Sequence, residues 1–178
     1  MKTRNLVRCA LFSALMCVSA WITVPFGAVS VTMQTFTLFF MLGVLGGKSG
    51  SAVCLVYLLL GAAGLPVFSG FQGGFGALFG PTGGYLLGFL AAALIYWAAT
   101  ALFGTAEVYR LTAMLLGLFA CYGCGTGWMA AFYIPTENTV SLGAVLLQGV
   151  VPYLLPDGCK LALALLLTKR LKHTARQS

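Results

Sequence analysis

The chain has 178 residues, of which 60% are hydrophobic and only 7% charged. A soluble domain carries roughly 25% charged residues, so this chain cannot cover itself with a wettable surface and soluble classes are excluded. The net charge of +7 comes from ten Lys and Arg against three Asp and Glu. Its basic residues gather at the two ends and in short connections, so they read as topology signals and not as a nucleic-acid surface.

Three charge-free runs, Cys9–Gly47, Ser49–Ala106 and Leu111–Thr136, organise the chain. A spanning helix needs about 20 apolar residues. The first run therefore holds two helices, the second holds two with a long connection, the third holds one, and the tail from Gly143 adds another. The expected fold is an all-α integral membrane protein of six transmembrane helices, forming a single domain over residues 1–178. Lys2, Arg4 and Arg8 at one end, and Lys169, Arg170, Lys172 and Arg176 at the other, place both termini on the cytoplasmic side. Lys48 and Arg110 then fall in the two inner connections. The loops near 27–32, 65–80 and 133–142 face outward, as does the head of the last helix. The apolar stretch after Arg8 lacks a small-residue cleavage site and reads as a retained helix, not a signal peptide.

In chain order, the first helix covers about 7–25 and carries Ala10 with Ala14, and Ser13 with Cys17, at spacing four. Such small-residue faces let helices approach closely; the neighbour is either another helix of this chain or a partner membrane protein. The second helix, near 31–46, opens with Thr32 and Gln34, and the third covers about 50–64. A connection follows, GLPVFSGFQGGFGALFGPTGGY, residues 64–85, with eight glycines and four phenylalanines. Irregular backbone at membrane depth is tolerated where it is buried in protein or lines a cavity. Glycines allow close approach and aromatics supply flat apolar walls, so this segment reads as a binding loop. The fourth helix runs from about 81 to 103 behind the stripe Gly80, Gly84, Gly88. The fifth, about 110–132, carries Gly117, Cys121 and Gly125 in the same arrangement. Residues 137–152 predict a short helix at the outer interface, and the sixth long helix covers about 156–171.

Several chemistries can be set aside. Gly47-Lys48-Ser49 ends like a phosphate-binding loop, but the leading glycine would have to be at position 42, which is Leu42, and the segment ends a helix. The glycine-rich connection has no GxGxxG spacing after a strand. His173, the single histidine, lies in the basic tail, and Glu107 and Glu137 fall in loops, so no acid–base pair or nucleophile–base arrangement is available. No catalytic or metal-binding residue is expected, and the chain is not expected to be an enzyme. Cys121 and Cys124 have redox or metal spacing; without a histidine partner they read as packing residues.

What remains is Asp157-x-x-Lys160, a carboxylate and an ammonium on one helical face at the head of a leucine-rich segment. One reading is a local ion pair whose aspartate caps the helix N-terminus. The other is a receptor for an anionic or zwitterionic ligand, since an ionisable group within a membrane segment is by default a functional candidate. With the aromatic loop beside it, the second reading suits a mostly apolar small molecule ending in a carboxylate. Gln34, Gln72, Thr82 and Gln148 are the candidate polar partners for the rest of such a ligand.

The block GLPVFSGFQGGFGALFGPTGGYLLGF (64–89), the TMQT segment (32–35) and the late Pro152…Asp157-x-x-Lys160 element together resemble the BioY family, the biotin-specific S components of energy-coupling factor (ECF) transporters. Two departures stand out: Ser30 replaces the usual proline before the Val-Thr-x-Gln segment, and Pro156 directly precedes the aspartate. The resemblance implies a six-helix S-component fold in a prokaryotic cell membrane that captures biotin from outside. It also implies a transmembrane T component and two ATP-binding-cassette ATPases as partners; the chain itself needs no cofactor and ATP is used only by those partners. It further implies that Lys160 engages the biotin carboxylate with Asp157 beside it. Phe71, Gln72, Gly73, Gly74 and Tyr85 would enclose the ring system, with Gln34 nearby, and Ala10 and Ala14 would dock the T component. An S component for another vitamin, or a membrane assembly subunit without a ligand, are the alternatives.

Overall fold

The computed structural model describes residues 3–25, 29–133 and 142–177. Lys2, Glu137 and much of the outward loop expected at 133–142 lie outside these residues. Helix α1 (Thr3–Trp21) stops where Ile22-Thr23-Val24-Pro25 begins. β-Branched side chains favour extended backbone, and proline disfavours helix in the residue before it. Strand β1 (Thr23–Val24) pairs antiparallel with β2 (Val31–Thr32), Thr23 opposite Thr32. The returning chain then closes the helix end, because the Met33 N–H points at the carbonyls of Ser19 and Ile22, 3.2 Å from each, which would otherwise lack partners.

Helices α2 (Gln34–Leu45) and α3 (Gly47–Ala62) are joined by Gly46 alone. Its φ of 80° is one that a side chain would strain. The hairpin takes the first residues expected of the second helix. At 12 residues α2 is about 18 Å long, well short of the roughly 30 Å hydrocarbon layer. The connection that follows is more ordered than expected: a 3-10 turn at Ser69–Phe71, a Phe68–Gln72 bridge and a single-turn helix α4 (Phe75–Leu78) fold it onto the bundle.

The remaining elements are α5 (Gly83–Phe103), α6 (Glu107–Tyr133), α7 (Leu142–Gly149) and α8 (Val151–Gln177). Among the described residues, three helical stretches are long and apolar enough to cross a membrane: α5, α6 and residues 143–174. The two glycine stripes read from the sequence meet each other. A Cβ on Gly84 would lie 2.3 Å from the Trp128 Cβ, and one on Gly88 would lie 2.9–3.0 Å from Cys121 atoms. Gly80 falls before α5, where its carbonyl accepts the Trp128 indole N–H at 3.0 Å.

Two expectations change here. Lys48 belongs to the first turn of α3, and Glu107 and Arg110 to the first turn of α6, not to connections, and Arg110 is buried. Helix α8 starts at Val151 and runs through Pro156. Pro156 lacks the N–H that would bond the carbonyl one turn back, yet the helix continues, so Asp157 is an interior residue and does not cap the N-terminus.

Connectivity sorts the helix ends into two groups. The hairpin, the 68–82 connection and the first turns of α8 surround one large cavity. At the other end, the α2–α3 junction, the end of α5, the start of α6 and the tail of α8 surround a smaller groove. Leucines and phenylalanines such as Leu59, Leu102, Phe119 and Leu155 are exposed on the outside of the bundle, the surface expected of a protein solvated by lipid.

The α5–α6 contact sets a first prediction. Gly88→Leu forces the helices apart and should destabilise the fold by about 1–3 kcal/mol or more. Gly123→Ala, at an exposed position with open space around it, should not. Thermal unfolding in detergent compares the two, and equal midpoints would contradict the packing described.

Candidate functional site

The large cavity has a volume of about 410 Å³ and draws its walls from nearly every element at that end. Helix α2 supplies Gln34, Thr35, Leu38 and Phe39; the hairpin supplies Thr23 and Val29 to Thr32; α5 supplies Tyr85, Leu86 and Phe89. Helix α6 adds Leu118, Cys121 and Tyr122, and α8 adds Tyr153, Asp157 and Lys160. The walls are largely apolar with a few convergent polar groups, the usual form of a small-molecule site.

Asp157 and Lys160 are both buried, 5% and 9% exposed. Their spacing on α8 brings Lys160 Nζ to 2.8 Å from Asp157 Oδ1. The other carboxylate oxygen, Oδ2, accepts the Tyr122 hydroxyl at 2.8 Å. A buried carboxylate is stable only when paired and hydrogen-bonded, and here each oxygen has a donor. Lysine has three N–H donors, and the bond to Asp157 is the one that Lys160 makes among the described residues. A charged donor with spare capacity therefore lines an otherwise apolar cavity.

Gln34 sits across the cavity and is tied into a relay. Its Nε2 donates to the Tyr57 hydroxyl at 2.8 Å, and that hydroxyl donates onward to the Val67 carbonyl at 3.0 Å. Its Oε1 accepts from Thr32 Oγ1 at 3.1 Å. These bonds fix the amide while leaving one N–H and one lone pair for a further partner. Tyr85 places its ring against Gly125 and donates its hydroxyl to the Gly149 carbonyl at 2.9 Å. That anchors the α7–α8 junction, and the Tyr153 hydroxyl donates to the Val29 carbonyl, tying α8 to the hairpin.

The structure thus brings Lys160, Asp157, Gln34, Gln72, Tyr85 and Thr82 to one cavity. It does not bring Phe71, Gly73, Gly74 or Gln148 there. Phe71 is 63% exposed and stacks on Trp21 with ring centroids 5.1 Å apart. Gly73 backs onto the Leu65 carbonyl, where a Cβ would lie at 2.2 Å, and the Gly74 N–H bonds the Gly61 carbonyl at 2.7 Å. These three clip the connection to the ends of α1 and α3, which shapes the cavity from behind without lining it. Gln148 is exposed on α7. Tyr122 and Tyr153 were not anticipated. Tyr122 stands between the two cysteines whose spacing drew attention; Cys121 is buried and Cys124 exposed. Among the described residues no cluster of three or more His, Cys, Asp or Glu could hold a metal.

The family model described as the BioY family matches residues 1–177. A probable biotin transporter BioY from Pyrococcus horikoshii is 39% identical, over 97% of this chain and 98% of its own. The biotin transporter BioY of Thermotoga maritima is 38% identical, over 95% of this chain and 96% of its own. A crystal structure of the S-component for biotin from an ECF-type ABC transporter superposes with a TM-score of 0.81 at 23% identity, over 97% of this chain and 92% of that one. At that identity the likeness speaks for the fold, and the helical bundle described above is the S-component architecture. With its whole length matched by the family model and by these relatives, the chain belongs to the BioY family.

Proposed function

We propose that this protein is the substrate-capture component for biotin uptake, with Lys160 receiving the biotin carboxylate. The observation that carries the reading is the buried Lys160 ammonium, held by Asp157 and retaining free donors at the wall of a cavity of about 410 Å³. Biotin is a compact bicyclic urea on an aliphatic chain that ends in a carboxylate. Its apolar body suits Phe39, Leu86 and Phe89, and its urea, which both donates and accepts, suits the spare N–H and lone pair of Gln34, with Gln72, Thr82 and Tyr85 at the same walls. Phe71, Gly73 and Gly74 act by holding the 68–82 connection in place.

The single domain lies in the cell membrane with six embedded helices, α1, α2, α3, α5, α6 and α8, and both termini inside. The supporting observation is that Lys48, Lys169, Arg170 and Lys172 belong to helix ends opposite the large cavity, the arrangement that basic residues favour on the cytoplasmic side. The cavity then faces outward. Delivery relies on a T component and two ATPases, which use the ATP. Ala10 and Ala14 suit the docking role because both are exposed on α1, whereas Ser13 and Cys17 turn into the bundle.

Equilibrium binding of labelled biotin to the purified chain tests the central claim. Lys160→Ala should weaken binding by about 2–5 kcal/mol, because it leaves Asp157 buried without its cation. Wild-type affinity in that variant, or displacement by thiamine or riboflavin in place of biotin, would overturn the assignment.

Tyr122→Phe removes a donor from a buried carboxylate and should cost about 1–3 kcal/mol in stability. It should also weaken biotin binding while Lys160 is intact, and calorimetric titration of both proteins reads the two effects. Unchanged affinity would make Tyr122 a packing residue only.

Phenylalanine at both Ala10 and Ala14 should abolish co-purification with a T component and leave biotin binding intact. Persistent association would remove the docking role.

A further inference from the structure

At the end of the bundle opposite the large cavity, Arg110 presents an unresolved charge. It is 8% exposed; among the described residues its Nε has no hydrogen-bond partner, and its Nη2 makes one long bond, 3.4 Å, to the Gly43 carbonyl. Capping the C-terminal carbonyls of α2 is a reasonable duty for a cation, yet it occupies one of five donors. The guanidinium borders a groove of about 220 Å³ that is also lined by Lys172, Tyr96 and Thr105 and by the chain from Gly43 to Gly46. Lys172 arrives from α8 and lines the same groove as Arg110.

Among the described residues no carboxylate lines this groove. Glu107, which flanks Arg110 on the adjoining face, is paired with Lys169 at 3.3 Å. Thr100 has spent its hydroxyl proton on the Tyr96 carbonyl. Among the described residues the hydroxyls of Tyr96 and Thr105 have no hydrogen-bond partner. Among the described residues, two cations from different helices therefore line one groove with free donors and no counter-charge, one of them buried. Like charges so arranged destabilise each other unless an anion sits between them, and a planar guanidinium beside an ammonium matches the oxygens of a phosphate.

We propose that this groove is an anion site that takes a phosphate group, supplied either by the headgroup of an anionic phospholipid or by soluble phosphate. Occupancy would lock the start of α6 to the tail of α8 and the end of α2. The site is independent of the large cavity and of what binds there.

Thermal unfolding of the purified full chain in neutral detergent tests this with two probes. One is inorganic phosphate against chloride at equal ionic strength; the other is dihexanoyl phosphatidylglycerol against dihexanoyl phosphatidylcholine. At ten times its dissociation constant a probe should raise the wild-type midpoint by about 3–6 °C. A rise with inorganic phosphate assigns the site to soluble phosphate, and a rise with phosphatidylglycerol alone assigns it to lipid. Lys172→Gln keeps most of the side-chain length and should weaken the responding probe about tenfold or more while biotin affinity is unchanged; Arg110→Gln should do the same if it folds. No rise with either probe in the wild type, or an equal rise in Lys172→Gln, would overturn the proposal.

Discussion

The site depends on a carboxylate kept charged where water is scarce. Asp157 is tolerated on α8 because Lys160 and Tyr122 each give one of its oxygens a hydrogen bond at 2.8 Å. Lys160 comes free with the helical repeat, being three residues away on the same element. Tyr122 does not: it is on α6, and its hydroxyl reaches Asp157 only if α6 is held at a fixed depth and rotation against its neighbours. That placement comes from the α5–α6 contact, where glycines at 84 and 88 admit Trp128 and Cys121 to distances no side chain would allow. Packing between two helices that carry no charge at the site thus decides whether the charge on a third can exist.

This dependence explains what was legible in the sequence. The apolar, helical class and the shared face of Asp157 and Lys160 follow from local rules: hydropathy, run length and the helical period. The glycine stripes were visible too, but spacing could not say that each would find the other. Tyr122 was overlooked because nothing local distinguishes a functional tyrosine in an apolar helix from a packing one, and the cysteines on either side carried the more familiar spacing. Pro156 misled in the opposite way. As a helix breaker it marked a plausible start, yet α8 extends upstream of it, where the Tyr153 hydroxyl bonds the Val29 carbonyl and Val150 packs on the core, and the cost of one missing backbone bond was absorbed.

The glycine-rich connection shows the same limit. Its composition announced close backbone approach, and the approach is real. At Gly73 and Gly74, however, the partner is the protein's own Leu65 and Gly61 carbonyls and not a ligand. Composition reports that a backbone must pass close to something; it does not report what. Phe71 illustrates the aromatic half of the problem, since stacking on Trp21 satisfies the ring as well as a ligand could. The residues of this connection that do face the cavity include Gln72 and Thr82, which stand out in the sequence as polar side chains in an apolar, glycine-rich stretch.

The two ends of the bundle handle charge differently, and the difference bears on how a capture protein must work. At the large cavity the ammonium has an internal partner, so the empty site is close to neutral and does not carry an uncompensated buried cation. A lone lysine would bind a carboxylate more tightly but would make the empty state costly, by the several kcal/mol that an unpaired buried ion loses. Under the proposed function the protein must hold a scarce vitamin and later give it up. An ammonium that stays paired with Asp157 and would take the ligand carboxylate on its spare donors limits both costs. Asp157 has no oxygen left for a ligand, since Lys160 and Tyr122 already engage one each.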